Sequence, residues 1–488
     1  MSLPARRAKQ SHGFMRSLRL AFGGLAMTLL CFLYPTPAMA AKEGRPNIII
    51  FLVDTLRADY LGCYGFKGRN SPNIDAFAKE SFLFSNCVTQ APWTKPATAS
   101  LFTSLHPQTH GVRDHISLHS LKKNGNYKMS ILSDKALTLA EVLQSAGYET
   151  YGFVGNDFLI KQFGYAQGFQ QYFEPRPNTD FFSAATLLNK SKDILEKRSA
   201  QKPFFMYFHF MDVHGPYQVD EKDFKASLES PSLGRDMVLS KTDRKGLPHE
   251  FTSTTGWLGP HRSQRLKNWR ACYAAGIRRF DRRLGDFLGY LKREKFLDNT
   301  LIVFMADHGE ELYDHRGWAH SHSLYKELLH IPLLIRLPKG KNGGTMIPES
   351  VNIVDVMPTL MRQARIPETI RGIIGRDLSP LLEGKRIKGL GWAYATALRH
   401  NLNKISVQNN QYKLIWDYPD GERELFDLKS DPDERNNIAA EKSKVVRRLS
   451  QMVVRHLQEV ETQGTLSEAT VPISGPLVEK LKSLGYLQ

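Results

Sequence analysis

The segment from Ala91 to Leu105 contains a hydroxyl group that could act as a nucleophile. Thr94 is predicted to be the N-cap of a helix with Pro96 in its first turn, where the missing N–H costs nothing. A tetrahedral oxyanion such as phosphate or sulfate binds readily at a helix N-terminus, beside free N–H groups and the positive end of the dipole. A threonine hydroxyl bound to a metal there could act as the nucleophile that attacks a phosphate or sulfate ester. A Thr-x-Pro cap without chemistry is the alternative, and the local sequence leaves both interpretations open.

Carboxylate and imidazole groups follow three stretches that have the apolar character of buried strands. They are Asp54 after residues 47–53, Asp212 and His214 after 203–211, and Asp307 and His308 after 301–306. Ligand sites of open α/β sheets lie beyond the carboxyl ends of their strands. A single aspartate in such a place more often begins a turn or caps a helix. Three strand ends of this kind in one chain favour a shared site.

The elements that must position these residues alternate along the chain. Apolar runs typical of strands buried on both faces occur at 47–53, 148–155, 203–211, 301–306 and 331–337. Helical patterns lie between them, at 136–146, where Gly147 follows as a C-cap residue, and at 270–292, where apolar residues are spaced three and four apart. This alternation predicts an α/β fold with a largely parallel central sheet and helices on both of its faces.

Beyond about residue 340 the pattern changes to short strands followed by one long helix. The strands are predicted at 392–398, 412–418 and 422–428, and the amphipathic helix at 434–461. A Pro-Asp-Gly turn is expected to join the last two strands as a hairpin. These elements predict a small α+β subdomain with a short antiparallel sheet.

Four ranges describe the expected domain organisation. Residues 1–40 form a secretory leader, and residues 41–340 form the catalytic α/β domain. Residues 341–488 are expected to complete the sheet and to form the small subdomain. Residues 218–268 are polar and basic and are interrupted by glycine and proline, so we expect an inserted surface loop or lid there.

The leader predicts the compartment. Residues 1–40 contain five basic residues and no acidic residue, an apolar run at 20–33, and small residues at the cleavage position in Ala38-Met39-Ala40. Its removal would take away those five charges and lower the formal net charge from +17 to +12. We expect a periplasmic or secreted protein, with an uncleaved N-terminal membrane anchor as the alternative.

The composition excludes several classes of protein. With 41% hydrophobic residues among 488, the chain has enough apolar surface to exclude a disordered or collagen-like protein. Only one stretch of the sequence, near the N-terminus, is apolar over a long distance, and a polytopic membrane protein would need several. The cysteines after the leader, Cys63, Cys87 and Cys272, allow at most one disulfide and form no CxxC pair. The positive charge favours an acidic partner without choosing among phosphate or sulfate esters, anionic lipid and nucleic acid.

An ordered series of motifs resembles that of the sulfatase branch of the alkaline-phosphatase superfamily, over nearly all of the sequence after the leader. The motifs are RPNIIIFLVDTLRAD at 45–59, LGCYG at 61–65, SPNID at 71–75, the Thr94 segment, HPQTHGV at 106–112, HFMDVHGPY at 209–217, ADHGE at 306–310, LYKE at 324–327, ELFDL at 424–428 and DPDE at 431–434. The resemblance implies an alkaline-phosphatase-like sandwich with a C-terminal α+β subdomain.

The chain departs from the usual sulfatase pattern at the nucleophile. Sulfatases of this family carry Cys or Ser followed by x-Pro-x-Arg and oxidise that residue to formylglycine, whereas Thr94 and Thr98 occupy the two ends of the motif here. A secondary alcohol with a β-methyl group cannot give the formylglycine aldehyde. The resemblance therefore does not imply the usual sulfatase chemistry for this chain.

The metal site implied by the resemblance departs as well. Asp54-Thr55 and Asp307-His308 stand where the family usually has paired acids and Asp-Asn-Gly. This set resembles the related phosphoethanolamine transferases, phosphodiesterases and phosphonate hydrolases. It implies Asp54, Thr94, Asp307 and His308 as metal ligands, with Thr94 also as the nucleophile. An imidazole in place of a hard oxygen ligand favours zinc or manganese over calcium.

Three further residues are candidates for catalysis or substrate binding. His214 resembles a family position that contacts the ester or protonates its leaving group, and a turn histidine at a strand end is the alternative. His320 could do the same work or bind a second metal. Lys95 could bind an ester oxygen as a point charge, and an exposed first-turn lysine is the alternative.

The resemblance and its departures together predict an exported, metal-dependent hydrolase or transferase of phosphate esters or phosphonates. One alternative is a sulfatase that works without formylglycine, and another is a non-catalytic binder of anionic polymers. The expected partner is an anionic phosphate, phosphonate or sulfate ester. Nucleic acid is not expected as a partner, and a membrane is expected only as a substrate source or through an uncleaved leader.

Overall fold

The computed structural model describes residues 44–113, 128–175, 183–199, 201–217, 219–230, 233, 262–367, 372–398, 403–466, 469–473 and 475–478. Residues Arg45–Gln488 belong to one compact unit. The predicted leader, residues 1–40, lies outside the described residues. In the described part of the chain, no helix combines the length and the apolar character that crossing a membrane requires.

A central sheet of eight strands dominates the described part of the chain. All strands, in chain order, are β1 Asn47–Val53, β2 Phe82–Val88, β3 Lys128–Ser130, β4 Glu149–Val154, β5 Gln171–Phe173, β6 Phe204–Phe210, β7 Thr300–Ala306, β8 Glu311–Leu312, β9 Trp318–Ala319, β10 His330–Arg336, β11 Met346–Asn352, β12 Ala393–Ala397, β13 Lys404–Gln408, β14 Tyr412–Asp417, β15 Arg423–Asp427 and β16 Thr470–Pro472. The order in the central sheet is β11-β2-β10-β7-β1-β6-β4-β5. Strand β10 is antiparallel to β2 and β7, and the other neighbouring strands are parallel.

The five apolar runs predicted as strands are confirmed as β1, β4, β6, β7 and β10. Every residue of β6 and β7 is buried, as strands covered on both faces require. Strand β2 was not predicted, because the half-buried pair Ser85-Asn86 interrupts its apolar run. Strand β11 contains Pro348 and Glu349, which its place at the sheet edge tolerates.

The described residues also form helices, of which the last packs against the C-terminal sheet and not against the central one. They are α1 Pro72–Ala78, α2 Thr94–Thr103, α3 Pro107–His110, α4 Leu139–Ser145, α5 Ala184–Lys197, α6 Glu221–Leu228, α7 Arg262–Arg293, α8 Lys326–Leu329, α9 Val356–Gln363, α10 Ser379–Leu382 and α11 Ser443–Gln463. The helix predicted at 136–146 starts later, because Thr138 caps it and forms a capping box with Glu141. The predicted α/β fold with a mostly parallel central sheet is confirmed.

The C-terminal strands form a second sheet. Strands β12, β13, β14 and β15 are joined in that order as an antiparallel meander. Helix α11 packs against this sheet through Leu449 and Val453, which share a core with Val407 and Leu414. The predicted helix start at residue 434 is wrong. Glu434 has a left-handed backbone with φ 55°, and its buried carboxylate is bound to Lys413, so the helix begins only at Ser443.

The predicted insertion at 218–268 lies mostly outside the described residues. Where it is described, residues Glu221–Leu228 form a helix instead of a loop, and Arg262 already belongs to the long helix α7. Asp223 ties the two helices together by accepting two hydrogen bonds from Arg282, at 2.8 and 2.6 Å. The lid function and the domain boundary near residue 340 stay predictions.

Candidate active site

The register of the central strands brings the predicted metal ligands together. Strands β1 and β7 are parallel neighbours with Val53 opposite Ala306, so the residues that follow, Asp54 and Asp307, emerge side by side at the carboxyl edge. The backbone N–H of Asp54 donates to the carbonyl of Phe210 at 2.9 Å, which continues the pairing with β6. The strand-end rule therefore located this part of the site correctly.

Asp54, Asp307 and His308 form a group that could hold a metal ion, here named the metal-binding group. One ligand atom from each lies within 4.8 Å of the others, and all three side chains are fully buried. His308 Nε2 is 3.4 Å from Asp54 Oδ1 and 3.6 Å from Asp307 Oδ2. Neither Asp54 Oδ1 nor Asp307 Oδ2 has a hydrogen-bond partner. Buried carboxylate oxygens without partners are costly, so a cation between them fits the arrangement.

The His308 ring is oriented for metal binding. Its Nδ1 lies 2.8 Å from the carbonyl oxygen of Gly309. A carbonyl can only accept, so Nδ1 carries the proton of the neutral ring. In the neutral ring, Nε2, which faces the two carboxylates, is then the nitrogen that could bind a metal.

Thr94 adds a hydroxyl to the same group of atoms. Its Oγ1 is 3.4 Å from Asp54 Oδ2 and 3.3 Å from His308 Nε2. The prediction of Thr94 as the N-cap is wrong: Trp93 has an extended backbone, and Thr94 is the first residue of helix α2. The Thr94 hydroxyl therefore does not cap the helix. It lies at the helix N-terminus and points toward the strand ends.

Three contacts to the carboxylates were missed by sequence reasoning. Asn156 Nδ2 donates to Asp54 Oδ2 at 2.7 Å, and the Thr55 backbone N–H donates to Asp307 Oδ1 at 3.3 Å. His209 Nε2 lies 3.5 Å from Asp307 Oδ2 and 3.8 Å from Asp54 Oδ2. Asn156 comes directly after β4, and His209 is a polar residue within the apolar run of β6, so both positions carried a signal.

The two carboxylates differ in their affinity for protons. Burial raises the pKa of Asp54, and the neighbouring Asp307 raises it further. Burial acts on Asp307 as well, but His308 and His209 outweigh it and lower the pKa of that carboxyl. Without a cation, Asp54 therefore holds a proton more readily than Asp307, and a bound cation would favour the ionised form of both.

His214 and His320 lie beside the metal-binding group. The ring centre of His320 is 4.6 Å from that of His308 and 5.3 Å from that of His214. His320 Nδ1 is 3.1 Å from Glu310 Oε1, and His214 Nδ1 is hydrogen-bonded to the carbonyl of Gly215. Burial lowers the pKa of His214, although Asp54 opposes this effect. Glu310 was not predicted as a partner of the site.

Lys95 and Asp212, which the sequence analysis placed near the site, bind backbone groups of other elements. The Lys95 ammonium donates to the carbonyl of Ser130 at 2.6 Å and lies 4.2 Å from the ring centre of Phe163. Lys95 is fully buried, so the alternative of an exposed first-turn lysine is wrong. Asp212 accepts a hydrogen bond from the Ala184 N–H at 2.8 Å in the first turn of α5. Binding of an ester oxygen by Lys95 stays a prediction.

Comparison with protein families gives two matches. Residues 46–366 match the family described as Sulfatase, which is well over half of the chain. Residues 314–463 match the family described as N-sulphoglucosamine sulphohydrolase, C-terminal.

Two relatives illustrate the similarity in sequence. The chain is 27% identical to an N-acetylglucosamine-6-O-sulfatase of Bacteroides thetaiotaomicron, over 88% of this chain and 89% of the relative. It is 25% identical to an arylsulfatase of Clostridium perfringens, over 81% of this chain and 90% of the relative.

Two solved structures share the fold. One is a phosphonate monoester hydrolase of Agrobacterium radiobacter, with a TM-score of 0.67 and 21% identity over 88% of this chain and 100% of the other. The other contains its substrate D-glucosamine-2-N,6-O-disulfate, with a TM-score of 0.66 and 24% identity over 86% of this chain and 98% of the other. These similarities show the alkaline-phosphatase-like fold.

Proposed function

The chain belongs to the sulfatase family and is a hydrolase of that superfamily, and we propose that it cleaves phosphate esters or phosphonates with Thr94 as the nucleophile. The observation that carries this proposal is the position of Thr94 Oγ1, 3.4 Å from Asp54 Oδ2 and 3.3 Å from His308 Nε2. Sulfatases with a formylglycine need a residue that can become an aldehyde. Threonine cannot, but its hydroxyl can attack phosphorus directly.

The proposed metal ligands are Asp54, Thr94, Asp307 and His308. Two buried carboxylate oxygens without hydrogen-bond partners and the Nε2 atom of His308 beside them support a divalent cation there. An imidazole in the set favours zinc or manganese over calcium. A bound cation would lower the pKa of the threonine hydroxyl and neutralise charge on the ester oxygens.

In the first proposed step, the Thr94 hydroxyl oxygen forms a bond to phosphorus, its proton passes to Asp54 Oδ2, and the bond from phosphorus to the leaving oxygen breaks. Asp54 Oδ2 orients the Thr94 hydroxyl, since it accepts a hydrogen bond from it. Thr94 is the first residue of α2, so the positive end of the helix dipole lies at the nucleophile and would stabilise developing negative charge.

His214 and His320 are proposed to donate a proton to the leaving group. Their rings lie next to His308, and Nδ1 of each ring has a carbonyl or carboxylate oxygen as its partner. Nε2 is then the atom at which either ring would hand a proton to the departing oxygen. In the second step, water or another acceptor gives its proton to the histidine that protonated the leaving group and attacks phosphorus. The bond between phosphorus and Thr94 Oγ1 breaks, and Oγ1 takes its proton back from Asp54.

Sulfate ester hydrolysis without formylglycine is a second candidate. The names of the relatives support it, since both are sulfatases. The threonine at the nucleophile position argues for the phosphorus ester. Export to the periplasm or secretion, with an anionic ester and not nucleic acid as partner, completes the proposal.

The experiment compares 4-nitrophenyl esters that differ only in the acid part: phosphate monoester, phosphate diester, phosphonate monoester and sulfate. Protein loaded with zinc or manganese should cleave at least one of the phosphorus esters. Thr94→Ala should lose about 10³-fold or more of this activity, whereas Thr94→Ser should keep a substantial part, because it keeps a hydroxyl. Mass spectrometry of quenched wild-type enzyme should find a phosphoryl group on Thr94.

Thr103→Ala is the matched control. Thr103 lies on the same helix, and its hydroxyl donates to the carbonyl of Ala99, away from the strand ends. It should leave the activity unchanged. Cleavage confined to the sulfate ester and insensitive to Thr94→Ala would sink the proposal.

A further inference from the structure

The segment of residues 310–323, here named the His320 loop, has an unusual backbone. Tyr313, Arg316, Ala319 and Ser321 all have left-handed φ angles, between 61° and 78°. Residues other than glycine adopt this conformation only where the surroundings impose it. Ala319 and Ser321 are the two neighbours of His320 in the chain, so the strained backbone lies on both sides of the residue that carries this imidazole.

Glu311 holds the loop together. Its Oε1 accepts the backbone N–H groups of His315 at 3.0 Å and Gly317 at 2.6 Å. Its Oε2 lies 2.7 Å from His322 Nε2. The Glu311 side chain is only 1% exposed. One buried carboxylate thus binds parts of the loop on both sides of His320.

The loop is also tied to the nucleophile segment. The backbone N–H of Ser321 donates to the carbonyl of Pro92 at 2.8 Å, two residues before Thr94. The conformation of the loop therefore sets where the His320 ring lies relative to Thr94 and to His308, whose ring centre is 4.6 Å away.

We propose that Glu311 is a positioning residue, which fixes the strained His320 loop so that His320 can protonate the leaving group. This inference rests on the role proposed for His320 above. Glu311 itself touches loop atoms and acts through the position of His320. Its loss should therefore slow those esters most whose leaving group needs a proton.

The test uses a phenyl and a 4-nitrophenyl ester of the same phosphorus acid. Phenoxide is the more basic leaving group, so cleavage of its ester depends more on a proton donor. Glu311→Ala should reduce kcat/KM for the phenyl ester about tenfold more than for the nitrophenyl ester. His320→Ala should show the same preference more strongly. Glu311→Gln keeps an acceptor for the two backbone N–H groups. Its ratio of kcat/KM for the two esters should therefore be close to that of the wild type.

Asp281→Ala is the matched control for a lost buried carboxylate. Asp281 is fully buried and accepts the backbone N–H groups of Asn73 at 3.0 Å and Ile74 at 2.8 Å, outside the His320 loop. Its replacement should lower the melting temperature and leave the ratio of the two esters unchanged. A ratio altered equally by both variants would overturn the proposal.

Gly317→Ala disturbs the contacts of Glu311 with the loop without replacing Glu311 itself. A Cβ at this position would lie 2.6 Å from Glu311 Oε2 and would also clash with His322 Nε2, so the two side chains must move apart. We expect the same loss on the phenyl ester, and a crystal structure with the His320 ring moved away from His308. An unmoved His320 ring in that crystal structure would overturn the proposal, whatever the activity.

The two possible failures can be told apart. If His320→Ala slows both esters equally, the assigned role of His320 fails and the inference about Glu311 fails with it. If His320→Ala is selective and Glu311→Ala is not, only the inference about Glu311 fails.

Discussion

The site depends on a few hydrogen bonds that decide which atoms face the strand ends. The Gly309 carbonyl holds the proton of His308 on Nδ1, and this leaves Nε2 for a cation. Asn156 occupies Asp54 Oδ2, while Asp54 Oδ1 has no hydrogen-bond partner. Asp54, Asp307 and His308 thus each have one atom engaged by the protein and another that faces the proposed metal.

The Asn156→Ala variant tests this arrangement. Removal of the 2.7 Å hydrogen bond to Asp54 Oδ2 should weaken zinc binding about 10- to 100-fold, because the carboxylate loses its orientation. Competition with a chromogenic chelator measures the affinity. Asn403→Ala, which removes an exposed amide bound to the Tyr418 carbonyl, is the control and should bind zinc like the wild type. Equal affinities in all three proteins would contradict the prediction.

Helix α4 begins where two side chains satisfy the free backbone groups of its first turn. Thr138 Oγ1 accepts the N–H of Glu141 at 3.2 Å, and Glu141 Oε2 accepts the N–H of Thr138 at 2.8 Å. This reciprocal cap is the reason that α4 starts at Leu139. Helix α2, by contrast, starts without a side-chain cap: Trp93 stands at the N-cap position, and the Thr94 hydroxyl is turned toward the site.

Thr138→Ala should therefore destabilise the protein by about 1 kcal/mol, the usual contribution of an N-cap. Thr138→Ser, which keeps the hydroxyl, should cost clearly less. The shift in the midpoint of urea unfolding measures both values. A Thr138→Ala protein as stable as the Thr138→Ser protein would show that the cap contributes little.

Aromatic rings join the C-terminal helix α11 to His106, the residue that follows the Ala91–Leu105 segment. The ring of His456 in α11 stacks on Tyr394 at 4.0 Å and meets His106, which precedes α3, at 4.4 Å. Burial lowers the pKa of His456 from 6.5 to about 4, and it lowers the pKa of His106 as well. The folded molecule thus keeps both rings neutral where the unfolded chain would protonate them.

Acid should loosen this connection. Between pH 6.5 and about 4 the unfolded chain binds a proton at His456 that the folded protein does not, so stability is lost as the pH falls through this range. His456→Phe keeps a stacked ring without a titrating group. It should remove about 2 kcal/mol of the stability loss between pH 7 and pH 5. The urea midpoints at the two pH values measure this loss, and identical losses in variant and wild type would refute the prediction.

The sequence alone determined the fold class and the backbone positions of the metal-binding group. Apolar runs without alternation specify strands buried on both faces, and such strands in parallel bring their carboxyl ends to one edge of the sheet. Asp54, Asp307 and His308 follow directly from this rule. Thr94 was identified from its place before a helix, although its exact position in that helix was wrong.

Only the tertiary structure decided which side chains contact one another. Thr94 and His308 are 214 residues apart, and Asn156 lies 102 residues from Asp54, so local patterns cannot encode their contacts. Sheet order, which places β7, β1, β6 and β4 in sequence, brings them together. The same is true of Lys95, whose partner is Ser130, and of Glu311, whose contacts depend on a backbone that propensity disfavours. Periodicity reports which residues are buried, whereas partners are set by distances that exist only after the chain has folded.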